Sequence, residues 1–148
     1  MSTTNESCVK TCNKMLRGER SAVETYQEVI EKYGDNPAMD ELRGIWRDHQ
    51  QSVSELDAHI RSLGGEPDTD SGAWGFVTGM IQKTANLFGE ESAVESLEKG
   101  EKKGLEDYKD ALEGDCITAE CRTMYQTKLI PRIESHLKIL DEIEDAVD

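Results

Sequence analysis

Basic residues are in short supply in this chain of 148 residues: 17 Lys and Arg stand against 31 Asp and Glu, for a formal charge of -14. Nucleic-acid backbones and anionic membrane surfaces both demand a cationic footprint, so the deficit argues against each as a partner and leaves cations as the natural ones. Long apolar runs are missing too. None approaches the roughly 20 residues of a membrane span, and the opening MSTTNESCVK lacks the apolar centre of a secretion signal. The expectation is a soluble, cytoplasmic protein. With only 3 prolines and little period-two alternation of β-branched residues, helix is the dominant element. The length suits one domain over 1–148, with a core that buries roughly 70% of the unfolded surface.

What is present is a spacing of three and four. Cys8, Cys12, Met15, Ala22, Tyr26, Val29 and Tyr33 carry it along a first helix, opened by Thr3-Thr4-Asn5-Glu6 as a capping box and closed at Gly34. A second helix follows the N-cap and Pro of Asp35-Asn36-Pro37 and runs from Met39 through Leu42, Trp46, Val53, Leu56, Ile60 and Leu63 to Gly64-Gly65. Ser92-Ala-Val-Glu95 opens a third, with Val94, Leu97, Leu105, Tyr108, Ala111 and Leu112 on one face until Gly114. The fourth starts near Thr118 and carries Cys121, Tyr125, Leu129, Ile133, Leu140, Ile143 and Val147, with a kink expected at Pro131. The pattern predicts an all-α four-helix bundle of two antiparallel hairpins, residues 4–64 and 92–147. The crossover, 65–91, is predicted to hold a short amphipathic helix with Trp74, Val77, Ile81, Ala85 and Phe88 on one side. It is long enough to return the chain in parallel, so helices two and three should run the same way.

Residues 18–26 read GERSAVETY and residues 100–108 read GEKKGLEDY. Seven residues turn about 700° along a helix, which puts Glu19 with Tyr26, and Glu101 with Tyr108, on the apolar face. Glu24 and Glu106 rotate away into water. The same template sets His49 between Trp46 and Val53, and His136 between Ile133 and Leu140, while His59 falls off the stripe toward the surface. Four unpaired polar groups in one core would cost too much against a total stability of about 5–15 kcal/mol, so they should meet one another. Two carboxylates and two imidazoles suit Fe, Mn or Zn. The alternative is a metal-free cluster in which Glu bonds His and Tyr.

The repeated Glu and Tyr, the two hairpins and the long crossover resemble the ferritin-like superfamily. More closely, GERSAVETY, LGGEPDTDSG and GEKKGLEDY resemble a bacterial ferritin-like four-helix family of unknown function, over roughly residues 5 to 147. The resemblance implies Glu19 and Glu101 as carboxylate ligands on helices one and three, His49 and His136 as ligands on helices two and four, and Tyr26 and Tyr108 as their hydrogen-bonding neighbours. The di-iron members carry Glu-x-x-His on helices two and four. Here Trp46 and Ile133 stand where those glutamates belong, so one ion per bundle is expected in place of a di-iron centre, or none if the site is degenerate. Glu134 and Glu98 are the substitute ligands. By height along the bundle Glu19 and His49 are level, but His136 lies roughly 7 Å off Glu101 unless Pro131 kinks the helix. Without a kink, His136 would face Glu95 and Glu98.

Cys8 and Cys12 lie near the start of helix one, and Cys116 and Cys121 around the start of helix four. The long crossover brings those starts to one end, where a zinc site or disulfides could form; small buried core thiols are the ordinary alternative. The functional expectation is a ferritin-like protein holding one Fe, Mn or Zn ion, with weak oxidase or peroxide handling only where iron is bound. The rival expectation is a metal-free structural or interaction bundle, homodimeric through the crossover helix around Trp74 and Phe88.

Overall fold

The structure, a computed structural model, describes residues 3–70, 86–89, 92–114 and 117–147, and all of their regular structure is helical. Helix α1 spans Thr3–Lys32, α2 Met39–Ser62 and α3 Ala93–Glu113. A fourth rod is built from α4 (Ala119–Met124), a π-helical turn (Tyr125–Leu129) and α5 (Ile130–Val147). No described helix is long and apolar enough to cross a membrane. The local signals act where side-chain oxygens meet free N–H groups. Ser92 Oγ accepts from the Glu95 N–H at 3.1 Å, and Thr118 Oγ1 accepts from the Cys121 N–H at 3.1 Å. The start of α2 departs from expectation. Asn36 Oδ1 accepts from the Ala38 N–H at 2.9 Å, closing a turn that contains Pro37, and the helix begins two residues after that proline. Gly64, at φ 81°, ends α2 in the left-handed conformation that glycine adopts without strain.

Cross-helix pairs fix the topology. Glu19 meets Tyr108 and Tyr26 meets Glu101, so α1 and α3 are antiparallel. A short turn makes α1 and α2 antiparallel, and α2 and α3 therefore run the same way. His136 meets Asp48, and Arg132 meets Ser52 and Glu55, so α5 runs against α2. The starts of α1 and of the fourth rod share one end, where Cys12 meets Cys121.

The fourth rod changes its helical winding ahead of His136, which meets Glu101. The Ile130 N–H bonds the Tyr125 carbonyl, five residues back, just ahead of Pro131, which has no N–H to continue an α-helical ladder. This wide turn takes up residues without advancing the chain as an α-helix would. It also answers a spacing anomaly. Cys121, Tyr125, Leu129 and Ile133 are all buried, yet three consecutive steps of four would drift about 120° around a regular α-helix. Opening the turn keeps them on one face.

The core has two apolar halves. One gathers Tyr26, Val29, Leu42, Ile45, Leu97 and Leu140, with Phe88 of the crossover packed against it. The other gathers Met15, Leu16, Leu56, Ile60, Tyr125 and Leu129. Trp74, Val77, Ile81 and Ala85, expected on a crossover helix, lie outside the described residues.

The first part of the crossover is tied to α1. Asn13 Nδ2 donates to the Glu66 carbonyl at 3.0 Å, its Oδ1 accepts from the Asp68 N–H at 2.8 Å, and Arg17 and Arg20 bond Asp68. This docking presses Gly65 onto Val9. A Cβ at Gly65 would lie 2.6 and 2.7 Å from the two γ-methyl carbons of that stiff side chain. Gly65→Ala is expected to lower stability by about 1–3 kcal/mol in urea unfolding, with recovery when Val9→Ala is added. An unchanged midpoint in the single variant would show that the crossover does not bear on α1 here.

Candidate metal centre

Between the two apolar halves lies one polar layer. Glu19 and Glu101 come from α1 and α3, His49 from α2 and His136 from α5, and all four are buried. Their positions follow from the helical period, which turns each inward among apolar neighbours. Glu101, wholly buried, is the hub. His49 Nε2 lies 2.8 Å from its Oε1, His136 Nδ1 lies 2.9 Å from its Oε2, and the Tyr26 hydroxyl donates to Oε2 at 3.3 Å. The other nitrogen of each imidazole is also engaged. His49 Nδ1 lies 2.5 Å from Glu19 Oε1, and His136 Nε2 lies 2.9 Å from Asp48 Oδ2. Tyr108 donates to Glu19 Oε2 at 2.6 Å. The two rings sit 4.7 Å apart, and Tyr26 stacks on His49 at 5.4 Å.

Burial by itself would discharge His49 and Glu101, but proximity reverses the outcome. Desolvation pushes the His49 imidazolium toward losing its proton, yet the charges and hydrogen bonds of Glu101 and Glu19 together hold its pKa up at about 10. Desolvation likewise favours the neutral Glu101 acid, and His49 and His136 overcome it to hold that carboxyl down at about 2. Tyr26 and Tyr108 are raised well above the usual phenol value, first by burial and then by the neighbouring carboxylates, so both remain hydrogen-bond donors.

His49, Glu101 and His136 offer ligand atoms within 4.8 Å of one another. Glu19 stands behind His49, on its far nitrogen. Glu134 is exposed, two residues and so about 200° around the helix from His136, and stands outside the layer. Glu98 is half-buried, Glu95 pairs with Lys99 at 3.4 Å, and the ring nitrogens of His136 meet Glu101 and Asp48. Glu24 and Glu106 are exposed. At the positions of the missing glutamates, Ile133 is buried in one apolar half and Trp46 packs against the other. Asp48 is the participant that sequence reasoning passed over. It sits one residue from His49, half-exposed, at the seam between α2 and α5.

A cavity of about 20 Å³, room for roughly one water molecule, lies beside Glu19, His49, Glu101 and Tyr108. The half-buried Gly18 and Gly104 flank it.

At the end of the bundle a second group forms. Cys12 Sγ lies 3.3 Å from Cys121 Sγ and 3.4 Å from Tyr125 Oη. Cys8, Cys12 and Cys121 are buried and in no disulfide among the described residues, and Cys116 lies outside them. His59, expected at the surface, is half-buried, with one ring nitrogen within 4.8 Å of both sulfurs. Its position beside the apolar stripe turns it toward a neighbouring helix.

Comparison with known proteins agrees with the architecture. A family model described as a domain of unknown function (DUF2383) matches residues 7–114. No curated protein matches the chain. A structure titled "Crystal structure of ferritin like, diiron-carboxylate proteins from Bacillus anthracis str. Ames" superimposes with a TM-score of 0.70, covering 97% of this chain and 99% of that one at 19% identity. At that identity the likeness speaks for the fold.

Proposed function

The chain belongs to the family of the domain of unknown function DUF2383 and folds as a ferritin-like bundle, and from that premise we propose that it binds one metal ion in the polar layer. His49 Nε2, His136 Nδ1 and the Glu101 carboxylate would hold the ion. A single observation carries the reading: each imidazole turns one nitrogen to Glu101 and rests the other on a separate carboxylate, Glu19 or Asp48. Metal-bound histidines are commonly braced in this way, because the outer carboxylate fixes the tautomer and the ring orientation and raises ligand basicity. When bound, Fe or Mn supplies redox or Lewis-acid chemistry, and Zn Lewis-acid chemistry alone.

The chain's own residues do the positioning. Glu19 and Asp48 orient the rings, Tyr26 steadies Glu101, and Tyr108 steadies Glu19. His49 must be unprotonated to serve as a ligand. With Trp46 and Ile133 at the other two positions, the donor set fits one ion better than two.

Asp48→Asn tests the reading with little risk to folding, since its side chain is 49% exposed. The expected result is a 10- to 100-fold loss of metal affinity at unchanged helical content, read by titration of the stripped protein and by metal analysis after chelator-free purification. Wild-type protein without stoichiometric metal, or His136→Ala retaining the full content, would sink it.

A metal-free structural bundle is the second reading. It is favoured by the completeness of the existing bonds, in which the His49 imidazolium lies between two carboxylates and both nitrogens of each ring are already paired.

A further inference from the structure

The thiol end of the bundle carries a different chemistry. His59 Nε2 is buried with no hydrogen-bond partner among the described residues. A sealed polar atom of this kind is costly unless something satisfies it. The His59 ring places one of its nitrogens within 4.8 Å of the sulfurs of Cys12 and Cys121, which face each other from positions 109 residues apart in sequence. We propose that Cys12, His59 and Cys121 form a second metal site, separate from the polar layer, for a thiophilic divalent cation of the Zn2+ type.

The spacing favours an ion over a sulfur–sulfur bond. Tetrahedral Zn2+ with bonds of about 2.3 Å holds two thiolates about 3.8 Å apart, so the observed 3.3 Å has to open by roughly half an ångström. A disulfide, at about 2.05 Å, would require the sulfurs to close by roughly 1.2 Å. The donor set is also selective. Two thiolates and an imidazole suit Zn2+ or Co2+, whereas the carboxylate-bearing layer suits harder ions, so the two sites sort metals by softness. Protonation is split across the pair: the Cys121 hydrogen bond outweighs desolvation and, with Tyr125, holds the Cys12 thiol down at about 7, while that same bond and then burial push the Cys121 thiol well up, so the ion has to displace the Cys121 proton; burial lowers the His59 imidazolium toward the neutral ring. Three protein ligands leave a fourth position for water or another donor.

The sites are distinct but adjacent. Cys12 and Glu19 lie seven residues apart, about 10 Å along α1. Between them Tyr108, bonded to Glu19, meets Tyr125 edge-on at 4.9 Å, and Tyr125 reaches Cys12.

The experiment uses the full chain, reduced and stripped of metal, titrated with Co2+ as a spectroscopic stand-in for Zn2+. The expected result is thiolate-to-cobalt charge-transfer absorption with the intense visible bands of a tetrahedral ion, bleached by Zn2+. It should vanish in the Cys12→Ser/Cys121→Ser double variant. His59→Ala should weaken Co2+ binding at this site at least tenfold, and Asp48→Asn should leave the thiolate bands unchanged while weakening the other site. Four outcomes overturn the proposal: no thiolate bands in helical, reduced wild-type protein; His59→Ala binding as wild type; thiolate bands lost in Asp48→Asn; or air oxidation joining Cys12 to Cys121 despite saturating Zn2+. Failure of the polar layer to bind metal would leave the thiolate bands in place, so the two readings fall separately.

Discussion

Glu101→Ala is expected to remove about 3–5 kcal/mol from the stability of the metal-free chain, a large part of the roughly 5–15 kcal/mol typical of a domain. Glu101 is wholly buried and is shared by His49, His136 and Tyr26. Truncating it leaves a charged His49 with one carboxylate where it had two, and strands the groups that Glu101 had satisfied. The loss exceeds that of an ordinary core truncation of similar size because desolvated charge is left behind. Glu101→Gln keeps the shape but not the charge, and should fall between Ala and wild type. Glu106→Ala, on the exposed half of the same repeat, should stay within about 0.5 kcal/mol of wild type. Urea unfolding followed by circular dichroism measures all three. A Glu101→Ala chain within 1 kcal/mol of wild type would mean that the layer is not a charged network.

Stability of the metal-free chain should also depend on pH from both sides. The Glu101 carboxyl is held down from an ordinary 4.5 to about 2, so the folded state binds its proton less readily than the unfolded state does. Its contribution is therefore present above pH 4.5 and lost as pH falls through about 2, a change of about 3 kcal/mol. His49 is shifted the other way, from 6.5 up to about 10. Its contribution is complete below pH 6.5 and lost as pH rises through about 10. Both flanks report one network, so their sizes do not add. Thermal unfolding of chelated protein should give its best contribution from this layer between pH 4.5 and 6.5, and Glu101→Gln should flatten both flanks. An acid flank equally steep in Glu101→Gln would place the titration elsewhere.

Part of this network could be read before any coordinates. The seven-residue step from Glu19 to Tyr26 and from Glu101 to Tyr108, and the places of His49 and His136 among apolar neighbours, follow from the helical period, which is local. So do the Ser92 and Thr118 caps. The fourth rod left a signal that passed unread: three successive steps of four from Cys121 to Ile133 cannot stay on one face of a regular helix, and they mark the π turn. That turn takes up about one residue, roughly 1.5 Å of rise, and so covers only part of the offset by which straight-helix counting displaces His136 toward Glu95 and Glu98.

Asp48 and His59 could not have been found by the same means. Both lie beside the inward stripe of α2, where the period says only that they flank the core. Whether such a residue meets water or a partner depends on the rotation of the adjoining helix, and that is set by packing across the whole bundle.

The chain alone thus determined four amphipathic helices, their order, and which acidic and imidazole side chains turn inward, because each of those depends on residues within a turn or two. The tertiary structure alone decided which nitrogen faces which carboxylate, that Asp48 braces His136 while Glu134 stays outside, and that His59 joins two distant cysteines. Those outcomes depend on distances between separate helices, which sequence spacing does not measure.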